Sequence, residues 1–214
     1  MSVNRFRLIG VIFLAFLYLM AGCTFIGGTQ QATKNYVLNS LYSEEIETQA
    51  VADLNDIGIL VGPIRMALYL DRADIVIRDG QNQIRLAEFS QWAGPLQENF
   101  SRVLAENLSV LLATNSVGIF PGTRAMLFDF NVTVNVTRFD GIPGEKADLR
   151  ARWGILDKNR KKMLFENHSV LTQPTKDDSM EALIAAESRT LAELSREIAE
   201  AIKTLAEGKT PVKK

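Results

Sequence analysis

The chain has 214 residues, 47% of them hydrophobic and 23% charged, and its 24 basic and 25 acidic side chains leave a formal charge of −1. That is enough for one domain with a proper core, and such a composition excludes collagen-like, coiled-coil and intrinsically disordered chains. A near-neutral balance asks for no nucleic acid, one cysteine excludes a disulfide framework, and one histidine leaves little for a metal site or for histidine-based catalysis.

Arg5 and Arg7 head an uncharged run from Leu8 to Gly22, mostly Leu, Ile, Phe and Ala. As a helix the run would reach roughly 22 Å, short of the ~30 Å that a spanning segment needs. A basic head, a short apolar run and a small-residue end are the layout of a secretory signal. The end reads Leu19-Met20-Ala21-Gly22-Cys23 and resembles the bacterial lipobox, with Met20 where leucine is preferred. Residues 1–22 are therefore expected to be a lipoprotein signal peptide, Cys23 the lipidated residue, and 23–35 a lipidated tether. Acyl chains contribute about 0.8 kcal/mol per buried methylene, so two or more hold a protein at a membrane without a spanning helix. The competing expectations are a plain signal peptide with an incidental cysteine, or an uncleaved membrane anchor.

A single globular domain is expected over 36–208, with a disordered tail at 209–214. Tyr36-Val37-Leu38 is a short strand, and the acidic stretch to Asn55, with Glu44, Glu45 and Glu47, reads as loop. Ile57, Ile59 and Val61 form a buried strand stopping at Gly62-Pro63; Ile75-Val76-Ile77 is a second, turning at Asp79-Gly80 into Gln83–Leu86. From Gln91 the period lengthens, and Trp92, Leu96, Phe100, Val103, Leu104, Leu108 and Leu111 make a helical stripe, with Pro95 in its first turn and an end near Thr114-Asn115. Phe128, Phe130, Val132, Val134 and Val136 alternate with polar residues, and after Gly141–Gly144 so do Ala147, Leu149, Ala151, Trp153 and Ile155. The two runs predict an antiparallel pair with one apolar face. Lys158–Lys162 is a solvated turn into Met163–Leu171, and a long helix follows, with Asp178 and Glu181 as a capping box and Gly208 at its end. The fold class is α/β or α+β: one mixed sheet of six or seven strands with two helices packed on it.

Candidate chemistry is sparse. His168 reads as a surface residue of a strand, Asp177-Asp178 as a helix N-terminus, and no phosphate-binding glycine motif occurs. No catalytic residue, metal or cofactor is expected. Tyr69-Leu70-Asp71-Arg72 and Phe89-Ser90-Gln91-Trp92 set aromatics beside charges in expected loops, where contact sites are common. Tyr69, Asp71, Arg72 and Trp92 are the candidate partner-binding residues. A core-edge role for Tyr69 and Trp92, with local pairing of Asp71 and Arg72, is the structural alternative.

An ordered set of short pieces then becomes recognisable. These are Val61-Gly62-Pro63, Tyr69–Arg72, Ile75–Arg78, Ala87-Glu88-Phe89, Trp92 with Pro95-Leu96, and Arg102–Leu108; further on come Arg138-Phe139-Asp140, Ala151-Arg152-Trp153 and the alanine-rich last helix. Together they resemble the PqiC family of ABC-type transport auxiliary lipoproteins. Ala73 stands where that family often has proline, and Gln91 where it often has arginine. The resemblance implies a domain similar to the N-terminal domain of TolB, layered α/β/α, and a non-catalytic role. It implies an outer-membrane lipoprotein facing the periplasm, partnered with a PqiB-like MCE-domain protein in lipid transport and membrane integrity, with homo-oligomers among the expectations. Thr24 after the cysteine, rather than aspartate, fits outer-membrane sorting. A lipid-binding carrier is the second functional expectation and a periplasmic hydrolase the third.

Overall fold

The computed structural model describes residues 32–41, 50–52, 54, 56–121 and 128–213. The expected signal peptide, Cys23, most of the tether and the acidic Glu44–Glu47 stretch lie outside the described residues. Among those described, no helix is long and apolar enough to cross a membrane.

Eight strands form one mixed sheet: β1 Lys34–Tyr36, β2 Ile59–Met66, β3 Asp74–Arg78, β4 Ile84–Trp92, β5 Val117–Ile119, β6 Phe130–Ile142, β7 Lys146–Asp157 and β8 Met163–Pro174. Helix α1 spans Leu96–Leu111 and helix α2 spans Met180–Ala206. Strand β6 is the hub. One of its edges pairs antiparallel with β7 along nearly its whole length, and β7 in turn pairs with β8. The other edge is shared: β2 runs parallel to Phe130–Val136, and β3 joins, also parallel, at Gly141. Strands β5, β4 and β1 complete the sheet as β2·β5, β3·β4 and β4·β1 pairs.

The alternation read in β6 and β7 decides which face is covered. Val132, Val134 and Val136 lie opposite Ile155, Trp153 and Ala151, and all six are buried. Phe139 continues this face beyond a bulge and takes the ring of Phe100 edge-on at 5.5 Å, which places α1 there. Gly141 continues it again: a Cβ at that position would run into the backbone carbonyl of Lys146 on β7 and sit 2.7 Å from Leu183 Cδ1 of α2, so only glycine fits between the paired strand and the helix. Both helices therefore share one face and pack against each other, where the resemblance implies helices on both. Between them Asn107, fully buried, donates to Ser195 Oγ at 3.1 Å and accepts from Leu41 N at 2.8 Å. Ser188 Oγ accepts from Asn39 N, so residues 37–41 are strapped across the helix pair.

Several sequence expectations are corrected. The chain leaves the sheet after Tyr36 rather than Leu38, because Leu38 turns down onto the helices and is buried there. β2 continues past Gly62-Pro63, since Gly62, at φ +116°, lets one extra residue bulge out between Val61 and Ile64. Trp92 belongs to the end of β4, paired with Tyr36, and not to the helix, which starts after Pro95. Its four-residue spacing from Leu96 satisfies a helical period by accident. Helix α1 stops at Leu111, before Ala113 takes φ +51°, and three-residue β5 was too short to register. The cap of α2 is Ser179, whose hydroxyl accepts from Ala182 N at 3.1 Å, while Asp177 accepts from Ser179 N. The basic run Lys158–Lys162, by contrast, is the expected turn, here between β7 and β8, closed by Asp157 Oδ1 accepting from the amides of Lys161 and Lys162.

One ionisable group in the core stands out. Glu187 of α2 is 1% exposed and its Oε2 has no hydrogen-bond partner among the described residues. Burial, reinforced by the charge of Asp140, raises its carboxyl well above the ordinary 4.5. A carboxyl that holds its proton more tightly when folded loses stability as pH climbs from the ordinary value toward the raised one. Glu187→Gln should remove that loss. Its advantage over the parent in unfolding free energy, measured with urea, should be smallest near pH 4 and grow above it, by at most about 1.4 kcal/mol per pH unit. A gap independent of pH would show that folding leaves the Glu187 carboxyl at its ordinary value.

Candidate docking surface

The connection from β2 to β3, Ala67–Ala73, must carry the chain from one stretch of the β6 edge to the next, and it crosses the face that the helices leave open. Ala67 N donates to Val136 O at 2.9 Å, and a single 3-10 turn, Leu68–Leu70, follows. The three residues of the turn diverge. Leu70 is buried at 2% exposure and Tyr69 is half-buried, while Leu68 stands 90% exposed.

Beneath the turn lies Asp140 of β6, which has no solvent exposure. A buried carboxylate is tolerated only when its charge and lone pairs are answered. Arg78 of β3 does so with both oxygens, Nε to Oδ1 at 3.1 Å and Nη2 to Oδ2 at 2.6 Å. Arg138 Nε adds a third donor at 3.2 Å and Tyr69 Oη a fourth at 2.8 Å. Burial, then the hydrogen bond to Asp140, pushes the Tyr69 phenol above its usual range, and the same carboxylate raises Arg78. The loop is thus latched to β3 and β6 through one ionic centre.

The four candidate contact residues meet around this loop with different roles. Asp71 and Arg72 are exposed, with Arg72 Nε 3.8 Å from Asp74 Oδ2. Gln91 holds the other oxygen of Asp74 at 3.2 Å. Trp92 closes the far end of the loop, its amide donating to Ala73 O at 2.8 Å, but its side chain is packed into the core with 6% exposure. Tyr69 faces inward to Asp140, so the surface that a partner would meet is Leu68, Asp71 and Arg72. Sequence reasoning missed Leu68, the most exposed large hydrophobic among the described residues; an apolar residue between two others carries no signal of which way it points. It also left Arg78, Arg138 and Asp140 as disconnected pieces.

The remaining candidates stay apart from this surface. His168 is an exposed residue of β8, as its strand pattern required, and Asp177 and Asp178 are exposed ahead of α2. Among the described residues no group of His, Cys, Asp and Glu is arranged to hold a metal ion.

This open mixed sheet with its two helices is a fold shared with solved structures. A protein of Xanthomonas campestris from the DUF330 family superposes with a TM-score of 0.63 at 13% identity, over 82% of this chain and 99% of that one. An uncharacterised protein gives 0.64 at 19% identity, over 80% and 99% respectively. At such identities the likeness is one of fold. No curated protein matches the chain in sequence. The sequence does match the model for the ABC-type transport auxiliary lipoprotein component over residues 36–199, and the chain belongs to that family. This is the family that the ordered sequence pieces resemble.

The latch has measurable consequences. Asp140→Asn leaves Arg78 and Arg138 side by side without a counter-charge and should cost about 3–5 kcal/mol in urea unfolding. Tyr69→Phe removes one hydrogen bond and should cost about 1–2 kcal/mol. If the asparagine variant proves the milder of the two, Asp140 does not organise the loop.

Proposed function

We propose that this protein is a non-catalytic docking subunit of an ABC-type lipid transport system. In this reading Cys23 carries the lipid anchor at the outer membrane, residues 24–33 give reach into the periplasm (shorter than the expected tether, since Lys34 and Asn35 already belong to β1), and the domain receives an MCE-domain protein that bridges from the inner membrane. Family membership supports association with a transport system, and the observation that carries the docking role is Leu68. A leucine 90% exposed on a loop that is latched from below loses solvent contact only when something covers it. A rigid loop also binds without first losing conformational freedom. Asp71 and Arg72 flank it with one charge of each sign, which would set the partner's orientation more than its affinity. Tyr69 and Trp92 act from beneath, by holding the two ends of the loop.

The test is a pull-down of the full lipoprotein from crosslinked membranes, read by mass spectrometry. The parent should recover an MCE-domain protein. Leu68→Glu should fold normally, its stability within about 0.5 kcal/mol of the parent, yet recover about tenfold less partner, the loss expected of an anchor residue. Cys23→Ala should recover less by failing to reach the membrane. Undiminished recovery by Leu68→Glu would remove the loop from the interface. Bound lipid in place of a protein partner would favour a carrier.

A further inference from the structure

The face that the helices leave open carries an excess of arginine. Cross-strand pairing aligns Arg65 of β2, Asn135 of β6, Arg152 of β7 and His168 of β8 in one row. The next row on the same face sets Arg138 directly opposite Arg150, a like-charge pairing that disfavours the sheet. On β6, β7 and β8 the acids of this face are already engaged: Asp140 in the latch, Asp148 with Lys146 and Thr172, and Glu166 with Lys213. Among the described residues no carboxylate lies within ion-pair distance of Arg65, Arg150 or Arg152, all three exposed. An open groove of about 790 Å³ runs over the first row.

We infer that this arginine-lined sheet face is a second docking surface, and that its occupant is an extended acidic segment of a protein partner. The spacing favours an extended chain. Arg150 and Arg152, two apart on β7, project about 7 Å from each other, the interval at which alternate carboxylates of an extended strand also project. Arginine rather than lysine supplies the charge, and its planar fork grips a carboxylate with two parallel hydrogen bonds. Met163 and Val170 of β8, 47% and 58% exposed, put apolar contact beside the charges, a mixture typical of protein interfaces. A bilayer is less suited, because a planar surface does not follow a recessed groove. The face adjoins the Leu68 loop, but the inference does not depend on the loop being a contact.

The probe is a short fluorescent peptide with glutamate at every second position, titrated against the full lipoprotein in phosphatidylcholine nanodiscs and read by anisotropy. A peptide with glutamine in place of glutamate is the control ligand. The parent should bind the glutamate peptide, more weakly as salt rises, and the glutamine peptide not measurably. An Arg150→Gln, Arg152→Gln double variant should bind about tenfold more weakly or worse, and Arg85→Gln on β4 should bind as the parent does. The double variant should also melt no lower than the parent, since a repulsion has been relieved. Equal binding by the double variant, no binding by the parent, or a lowered melting temperature would overturn the inference. Loss of peptide binding in phosphatidylglycerol nanodiscs would overturn it too, by assigning the face to lipid headgroups.

Discussion

A carboxylate sealed from water requires its charge to be matched where it stands, and in this domain that requirement falls on Asp140. The residue lies on β6, the strand on which the sheet is assembled, at the point where β2 has left its edge and β3 arrives. Arg78 comes from the arriving strand and Tyr69 from the loop between the two, so satisfying one side chain joins three pieces of chain. Removing a partner from such a buried centre is costly, whereas its net contribution to stability is modest. Its value lies in specificity: it gives the crossover loop one position, and the exposed Leu68 stands on that position.

The two faces of β6 divide the labour. Towards the helices its side chains are apolar or absent: Val132, Val134, Val136 and Phe139 fill the core, and Gly141 makes room for Leu183. Towards the open side it carries Asn135, Arg138 and Asp140, which face polar and charged neighbours on β2, β3 and β7. The apolar core is concentrated on one side of the sheet and the charged side chains on the other. The second side accordingly tolerates an arginine pairing that the first could not.

Much of the architecture was legible because period-two alternation over long strands is a strong signal. Phe130 to Val136 and Ala147 to Ile155 read correctly as an antiparallel pair with one apolar face, and the stripes of both helices were found. The misreadings were local contests between two patterns. Trp92 fits a helical interval to Leu96 and a strand ending before Pro95, and pairing with Tyr36 decided for the strand. Gly62-Pro63 resembles a stop, but a bulge can absorb it when the partner strand runs on. Ser179 took the cap of α2 ahead of the neighbouring acid because its hydroxyl reaches the amide of Ala182.

By itself the sequence determined the family, the class of fold, the strands and helices long enough to show their period, and the expectation of a lipid anchor at Cys23. These depend on local order and spacing, which a linear text preserves. Tertiary structure alone decided that Tyr69, Arg78, Arg138 and Asp140 form one centre, for 71 residues separate Tyr69 from Asp140 and 62 separate Arg78 from it. It also decided that Leu68 points outward while Leu70 points in, and that Arg65, Arg150 and Arg152 share a face with no carboxylate within ion-pair distance among the described residues. Which charges meet, and which side of a sheet remains uncovered, follow from strand register and from where the helices settle. Those are properties of the packed chain, and no short stretch of residues carries them.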